Sequence, residues 1–361
     1  MKEDKIYMRR CLQLAACGMY GARPNPMVGA VIVAPGGRII GEGCHRHCGQ
    51  GHAEVNAFAS VAPADEALLA ESTMYVSLEP CAHYGKTPPC ADLIIRKGVR
   101  RVVVGCVDPF AKVHGMGIRK LRDAGVDVTV GVLERECAEL NRRFFTFQTL
   151  GRPYITLKWA QSADGFIDTL RADYACEKAY VFSTPFSQMC MHRVRAAHQA
   201  ILVGRQTALA DNPALSVRLW AGRQPLRLVV DREGNLPSGL RLFDGTQQTR
   251  AYVDASVPRA AYEGRPGVVC VRLDFGRDIL PQLLDDLYGL SVQSLLVEGG
   301  RQLLESFLAA DLWDEVRVEQ SPVSLGNGVP APAWPRGRME VEPLDGNALV
   351  RIFPACSRRA V

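Results

Sequence analysis

Hydrophobic and polar positions run along this chain in two successive β/α series. Over residues 4–19, Ile6, Cys11, Leu12, Ala15 and Met19 fall near helical spacing and predict an amphipathic helix. Val28–Val33 and Arg38–Ile40 flank Ala34-Pro35-Gly36-Gly37, the turn composition of a hairpin. A helix is expected from His52, and a strand over Met74–Leu78 that delivers Cys81 to its C-terminal end. A strand over Arg101–Val107, a helix near Ile118–Asp123 and a strand over Val126–Val130 continue the alternation. Glu134–Phe147 reads as one helix closing this unit, and the break that follows carries Gly151 and Pro153. The expected domains are therefore residues 1–149 and 150–361.

The second series predicts strands at Tyr154–Ala160, Ala200–Val203, Leu226–Asp231, Ser294–Glu298 and Glu315–Glu319. Its helices are expected at Gln188–Ala196, Asp278–Tyr288 and Arg301–Ala309. The fold class is α/β in both halves, and chemistry is expected at the carboxyl ends of the strands. Residues 232–275 carry no legible pattern. There is no internal repeat and no low-complexity stretch.

Composition narrows the function classes. A chain of 361 residues with 47% hydrophobic and 22% charged residues is an ordinary globular protein with room for two cores. The net charge of +5 is diffuse, with no basic block interleaved with aromatics, so no nucleic-acid partner is expected. No apolar run reaches membrane-spanning length, and Met-Lys-Glu-Asp-Lys at the start has no apolar signal region. The twelve cysteines are accordingly expected to be mostly free and buried in a reducing, cytoplasmic setting.

The strongest chemical signal is His52-Ala53-Glu54 followed by Pro80-Cys81 and Pro89-Cys90. A neutral imidazole and two thiolates bind Zn²⁺ tetrahedrally and leave a fourth position for water. The metal lowers the pKa of that water, and a carboxylate that is not a ligand shuttles its proton to the leaving amine. Glu54 suits the shuttle: in a helix starting at His52, an i, i+2 pair points to roughly opposite sides, away from co-ligation. Both cysteines are expected to open helical segments, where thiolate is favoured over thiol. Scattered cysteine and histidine are usually buried thiols and a core imidazole; the ordered set here outweighs that reading. Cys44, His45, His47 and Cys48 form a compact group, from which no second zinc site is expected.

Several segments carry a family resemblance. In the first half they are Pro24-Asn25-Pro26-Met27-Val28-Gly29, Gly41-Glu42-Gly43-Cys44-His45, His52-Ala53-Glu54-Val55, the run from Ser77 through Cys90, and Asp108-Pro109. Cytidine and nucleic-acid deaminases generally carry two residues between their cysteines; here eight intervene. This half resembles the deaminase domain of the bifunctional riboflavin-biosynthesis deaminase–reductases. The resemblance implies a cytidine-deaminase-like three-layer α/β/α domain in which His52, Cys81 and Cys90 bind zinc and Glu54 is catalytic. It further implies that Asn25, His45, His83, Lys86 and Asp108 face the pyrimidine or its ribose phosphate. The family's Asp-Pro-Asn-Pro is here Asp108-Pro109-Phe110-Ala111, a departure in the substrate wall.

The second half resembles the family's reductase domain, similar in fold to dihydrofolate reductase. The segments are Leu157 through Gly165, Arg195-Ala196, Ile201-Leu202-Val203-Gly204, Thr207, Asp211 through Arg218, and Leu296-Val297-Glu298-Gly299-Gly300. The likeness implies that Ala160, Thr207, Asp211 and the run Gly300, Arg301, Gln302, Leu303, Leu304, Glu305 and Ser306 touch NADPH. It also implies that Arg195, Leu215, Arg218 and Glu298 touch a phosphoribosyl substrate, with Lys158 nearby. Two departures stand out: Ala163 within the family's Ser-Leu-Asp-Gly, and a stretch 168–182 without the family's tryptophan.

The expectation is a bifunctional enzyme of riboflavin synthesis: a zinc-dependent deaminase followed by an NADPH-dependent reductase of a phosphoribosylaminopyrimidine. The choice of NADPH over NADH rests on the resemblance alone, and a homo-oligomer is expected as the default for such an enzyme. Three alternatives stay open. They are a deaminase with a non-catalytic or differently specific second domain, a base-editing deaminase acting on RNA, and a non-enzymatic zinc or thiol-redox protein.

Overall fold

The computed structural model describes residues 2–84, 88–110, 114–173 and 176–355. The chain divides into two compact units between Leu150 and Gly151.

In the first unit, α1 (Lys2–Ala16) leads into β1 (Gly29–Val33) and β2 (Ile39–Cys44), an antiparallel hairpin. Then follow α2 (Ala53–Ala59), β3 (Thr73–Leu78), α3 (Cys90–Arg96), β4 (Arg101–Cys106), α4 (Met116–Asp123) and β5 (Asp127–Val130). The sheet order is β2-β1-β3-β4-β5, with β3, β4 and β5 parallel. Strand alternation decides the layers, because successive side chains point to opposite faces. Ala30, Ile32, Met74, Val76, Val102 and Val104 face one way, onto Ala53, Ala57, Ala91, Ile94, Ile118 and Leu121 of α2, α3 and α4. Val31, Val33, Tyr75 and Val103 face the other way, onto Met8 and Cys11 of α1 and onto Cys137 and Phe145. The result is a three-layer α/β/α sandwich.

The single helix expected over Glu134–Phe147 is two: α5 (Glu134–Leu140) and α6 (Arg142–Leu150). The break falls at Asn141, which is buried; its side chain accepts from Met27 N and donates to Met27 O, both at 2.8 Å. That contact, 114 residues away in sequence, fixes the kink.

The second unit runs β6 (Tyr154–Gln161), β7 (Phe166–Asp168), α7 (Pro185–Ala196), β8 (Ala200–Gly204), α8 (Arg205–Asp211), β9 (Leu226–Val230), β10 (Thr249–Asp254) and β11 (Val268–Leu273). It continues with α9 (Ile279–Gly289), β12 (Ser294–Val297), α10 (Arg301–Ala309), β13 (Glu315–Gln320), β14 (Val329–Pro330), β15 (Arg338–Leu344) and β16 (Asn347–Phe353). Nine strands form one sheet in the order β11-β10-β9-β8-β12-β6-β13-β16-β15, parallel from β11 to β13 and antiparallel beyond. Helices α9 and α10 cover one face through Leu283, Leu284, Leu287, Leu304 and Phe307. The other face packs against α8 and the connections at 236–243 and 257–262, with Met191 and Val194 of α7 against it. Thr184 starts α7 by accepting the Ser187 N–H at 3.1 Å, an N-cap of about 1 kcal/mol.

Candidate active sites

The first site gathers at the carboxyl end of β3 and the start of α2 and α3. Helix α2 lies directly on β2 because Gly41 and Gly43 carry no side chain. A Cβ on Gly43 would stand 2.3 Å from Ala53 O and from Ala57 N. The close approach sets His52, the residue before α2, against the sulfurs delivered by β3 and α3. Its Nδ1 lies 3.6 Å from Cys81 Sγ and 3.4 Å from Cys90 Sγ, and all three donor atoms fall within 4.8 Å of one another. Cys90 is the first residue of α3, and its N–H donates to Cys81 Sγ at 3.3 Å. Cys81, expected to open a helix too, instead lies in irregular chain after β3.

The electrostatics fit a divalent cation. The Cys90 thiol hydrogen-bonds Cys81, which with the His52 ring and the Cys90 N–H drops the Cys81 thiol to about 4 against its burial. Cys90 is pushed upward because it keeps the shared proton and is buried. His52 is raised by its hydrogen bond to Cys81. Two soft sulfurs and an imidazole nitrogen, holding protons that a cation would displace, are a zinc donor set. Among the described residues no other group of histidine, cysteine and carboxylate assembles this way, the compact Cys44–Cys48 group included.

Glu54 lies in the first turn of α2, 3% exposed, with the Cys90 thiol hydrogen-bonded to its carboxyl. Burial pushes it up to about 7, the Cys81 charge adds to the rise, and His52 opposes it. A carboxyl poised there can both accept and return a proton near neutrality.

Around this centre, His45 is 2% exposed and its ring stands edge-on to His52 with centroids 5.4 Å apart. Nδ1 donates to Gly51 O and Nε2 accepts from Asn25 Nδ2, each at 3.1 Å. Burial keeps the ring neutral by lowering its pKa. Asp108 is buried and its pKa is raised, chiefly by burial; its Oδ1 accepts the Phe110 N–H at 2.8 Å, and His83 lies close enough to oppose the rise. Asn25 and His45 are thus brought together beside the donor trio, and His83 beside Asp108. Lys86 lies outside the described residues.

Two positioning residues escape a reading of the sequence. Asn56 donates to Cys44 O at 2.8 Å and Gly51 O at 3.0 Å, holding the loop that carries His45. Glu79, 5% exposed, accepts four backbone N–H groups, from Asp108, Gly115, Gly117 and Ile118, at 2.9 to 3.2 Å. It caps α4 and anchors the Asp108 loop. Its place in Glu79-Pro80-Cys81 was the available signal.

The second site lies at the carboxyl ends of β6, β8 and β12. After β12, Gly299 and Gly300 take φ of 158° and 70°, and Thr207 of α8 packs against both: a Cβ on Gly299 would meet it at 3.1 Å. The N-cap of α10, Gly300, offers no side chain to its first amides, so these and the small-residue turn suit a phosphate-bearing cofactor such as NADPH. Within the run that follows, Leu304 points into the core and Leu303 packs beside it. Arg301 pairs with Glu305 at 2.7 Å, and Ser306 donates to Gln302 O. Ala160 sits on β6 opposite Glu319 of β13. Asp211 pairs at 2.8 Å with Arg171, a buried arginine of the divergent 168–182 stretch that also holds Asp168.

Arg195 grips Glu298 with two bonds, Nε to Oε1 at 2.8 Å and Nη2 to Oε2 at 2.5 Å, and donates to Ser216 O. This buried pair, with Lys158 beside it, holds Glu298 below the usual carboxylate range despite burial. Removing one partner of such a pair costs about 3–5 kcal/mol because a bare charge remains. Leu215, buried, takes a φ of 49°. The Arg218 N–H donates to His192 Nδ1 at 3.0 Å. His192, 3% exposed and missed in the sequence, is pushed down to about 4 by burial and by Arg195 and Arg218.

Comparison with known proteins bears on both sites. Residues 1–106 match the cytidine and deoxycytidylate deaminase zinc-binding region, and residues 153–340 match the RibD C-terminal domain. The riboflavin biosynthesis protein RibD of Aquifex aeolicus is 38% identical over 90% of this chain and 89% of its own, and that of Escherichia coli 34% over 90% and 89%. This chain belongs to the RibD family. A Thermotoga maritima member, solved as a diaminohydroxyphosphoribosylaminopyrimidine deaminase/5-amino-6-(5-phosphoribosylamino)uracil reductase, matches with a TM-score of 0.86 at 35% identity, over 98% of this chain and 99% of that one. RibD of Acinetobacter baumannii gives 0.85 at 32%, over 98% and 99%. Membership of the RibD family accounts for the two folds: a cytidine-deaminase-like first unit and a reductase-type second one.

Proposed function

We propose that this chain is a bifunctional enzyme of riboflavin biosynthesis with zinc and NADPH as cofactors. The first unit hydrolyses the 2-amino group of 2,5-diamino-6-(5-phosphoribosylamino)pyrimidin-4-one: water adds at the ring carbon, ammonia leaves, and a carbonyl remains. His52, Cys81 and Cys90 hold the zinc. Bound zinc lowers the pKa of a water so that a nucleophile exists near neutral pH. Glu54 takes up the proton released in the attack and passes it to the departing amino group. Neutral His45, oriented between Gly51 O and Asn25, faces the pyrimidine with His83 and Asp108, and Lys86 offers a cation to the ribose phosphate.

The second unit reduces the ribosyl side chain to ribityl, giving 5-amino-6-(5-phosphoribitylamino)uracil. NADPH, when bound, supplies the hydride to the anomeric carbon. Ala160, Thr207, Asp211 and residues 300–306 contact the cofactor, Leu303 and Leu304 through their backbone. Arg195, Leu215, Arg218 and Glu298 contact the substrate with Lys158 at hand. A small molecule is the partner in both reactions. Among the described residues no helix is long and apolar enough to cross a membrane. A cytoplasmic, homo-oligomeric enzyme completes the proposal.

The observation that carries the reading is the donor trio within 4.8 Å beside a buried carboxyl, in a chain matching both RibD family halves. Mass spectrometry of the diaminopyrimidine ribosyl phosphate, incubated with zinc-loaded protein before and after NADPH, tests it. The expected result is a deamination mass change without cofactor and a two-hydrogen gain with it. Deamination alone refutes the reductase half, and no change refutes the substrate.

A further inference from the structure

Arg227, on β9, heads the fully buried side chains by volume, and its guanidinium bridges two loops. Nη1 donates to Arg241 O at 2.8 Å and to Ala214 O at 3.4 Å; Nη2 donates to Asp244 Oδ1 at 2.8 Å and Gln247 O at 2.9 Å. A second tie joins the same loops, since the Arg241 N–H donates to Asn212 Oδ1 at 2.7 Å. Asn212 and Leu215 both hold positive φ, 39° and 49°, a conformation that persists only where the surroundings enforce it. The loop 211–218 and the turn at 241–247 are therefore one fixed assembly, with Arg218 on one part and Arg241 on the other.

The charges around that assembly do not balance. Arg195 is committed to Glu298, and Asp244, on the same turn as Arg241, is committed to Arg227. Arg218 and Arg241 are both exposed, and among the described residues no carboxylate lies in ion-pair reach of either. The two guanidiniums are near enough that Arg241 and Arg195 add to burial in lowering the Arg218 pKa. Two exposed, uncompensated guanidiniums, carried on backbone that these ties hold together, suit a dianionic phosphate, which each can grip through two N–H groups.

We propose that Arg241 joins Arg218 in a clamp for the 5-phosphate of the phosphoribosyl substrate, its spacing set by Arg227 and Asn212. This rests on the reductase reading above. The 5-phosphate is remote from the anomeric carbon that receives hydride, so the clamp contributes uniform binding and shows in KM rather than kcat.

The test compares full-length wild type, Arg241→Met and Arg241→Lys, saturated with NADPH. The substrates are 5-amino-6-(5-phosphoribosylamino)uracil and its dephosphorylated ribosyl counterpart. Arg241→Met is expected to raise KM for the phosphorylated substrate about tenfold, with kcat within about twofold. It should leave kcat/KM for the dephosphorylated one unchanged, and Arg241→Lys should recover part of the loss. An unchanged preference for the phosphorylated substrate overturns the clamp, and so does an equal loss on both. Wild type without turnover refutes the reductase reading instead. Calorimetry with ribose 5-phosphate then still decides: binding about tenfold weaker in Arg241→Met supports the clamp, and equal affinity refutes it.

Discussion

Glu54 is useful because its surroundings forbid it a permanent charge. Burial, with the Cys81 charge, lifts its carboxyl to about 7 against the pull of His52. Glu54→Gln keeps the shape, loses the proton relay, and leaves His52, Cys81 and Cys90 untouched. Deamination is expected to fall by about a hundredfold to ten-thousandfold while metal analysis still finds zinc bound. Undiminished deamination would remove Glu54 from the mechanism. His192 gives a pH signature in the second unit. Its folded pKa, about 4, lies below the ordinary 6.5, so between those values the unfolded chain binds a proton that the folded one refuses. The stabilisation is full above about pH 6.5, declines as pH falls, and is gone near pH 4. His192→Asn keeps an acceptor for the Arg218 N–H without a titrating group. Denaturant melts across pH 4–6.5 should therefore show a shallower acid loss in the variant, by at most about 3 kcal/mol. The trio His52, Cys81 and Cys90 and the carboxyl of Glu54 beside it were legible as a group in the sequence, because the proposed chemistry needs those residue types in that order. His192, Asn56 and Glu79 were not, because what they do is defined by backbone groups brought to them by the fold.

At the level of elements, legibility followed burial only in part: β10 lies inside the large sheet with Ala251, Tyr252 and Val253 buried, yet it falls in the stretch 232–275 that carried no pattern. Strands β3, β4, β8 and β12 are covered on both faces and spell apolar runs such as Val102-Val103-Val104, so the alternation of strand and helix could be read directly. The edges could not. β11 (Val-Val-Cys-Val-Arg-Leu) and β15 (Arg-Met-Glu-Val-Glu-Pro-Leu) are half-exposed edge strands of the large sheet, where one flank is left to solvent and the pattern blurs. The kink at Asn141 was equally hidden, since a contact to Met27 makes it. One element contact carries direct consequence for the metal centre: α2 against β2 at Gly43. A methyl there would stand 2.3 Å from Ala53 O and Ala57 N, backbone atoms that cannot turn aside. Gly43→Ala is therefore expected to push α2 outward, moving His52 and Glu54 away from the two sulfurs. The expected cost is about 1–3 kcal/mol in stability, with substoichiometric zinc by metal analysis. Full zinc occupancy at unchanged stability would mean that the helix has slack the structure does not show.

Over the whole molecule, the residues proposed for the two reactions come from separate stretches of chain. His52, Cys81, Cys90 and Glu54 all lie before Leu150, whereas Lys158, Arg195, Thr207, Arg218 and Glu298 all lie after Gly151. The chemistry orders the steps without any coupling between sites, because the reductase receives a pyrimidine that has already lost its amino group. Zinc removal should therefore separate the activities. A chelator is expected to reduce deamination to background, since the nucleophile depends on the metal. NADPH consumption on the diamino substrate should stop with it, for want of the deaminated intermediate. Supplying 5-amino-6-(5-phosphoribosylamino)uracil directly to the chelated protein should restore NADPH oxidation at the rate of the zinc-loaded enzyme, followed by absorbance. A reductase that stays silent on its own substrate after chelation would show that the metal supports more than the unit that binds it. Re-addition of zinc then distinguishes that dependence from irreversible damage, because only the former recovers both rates together.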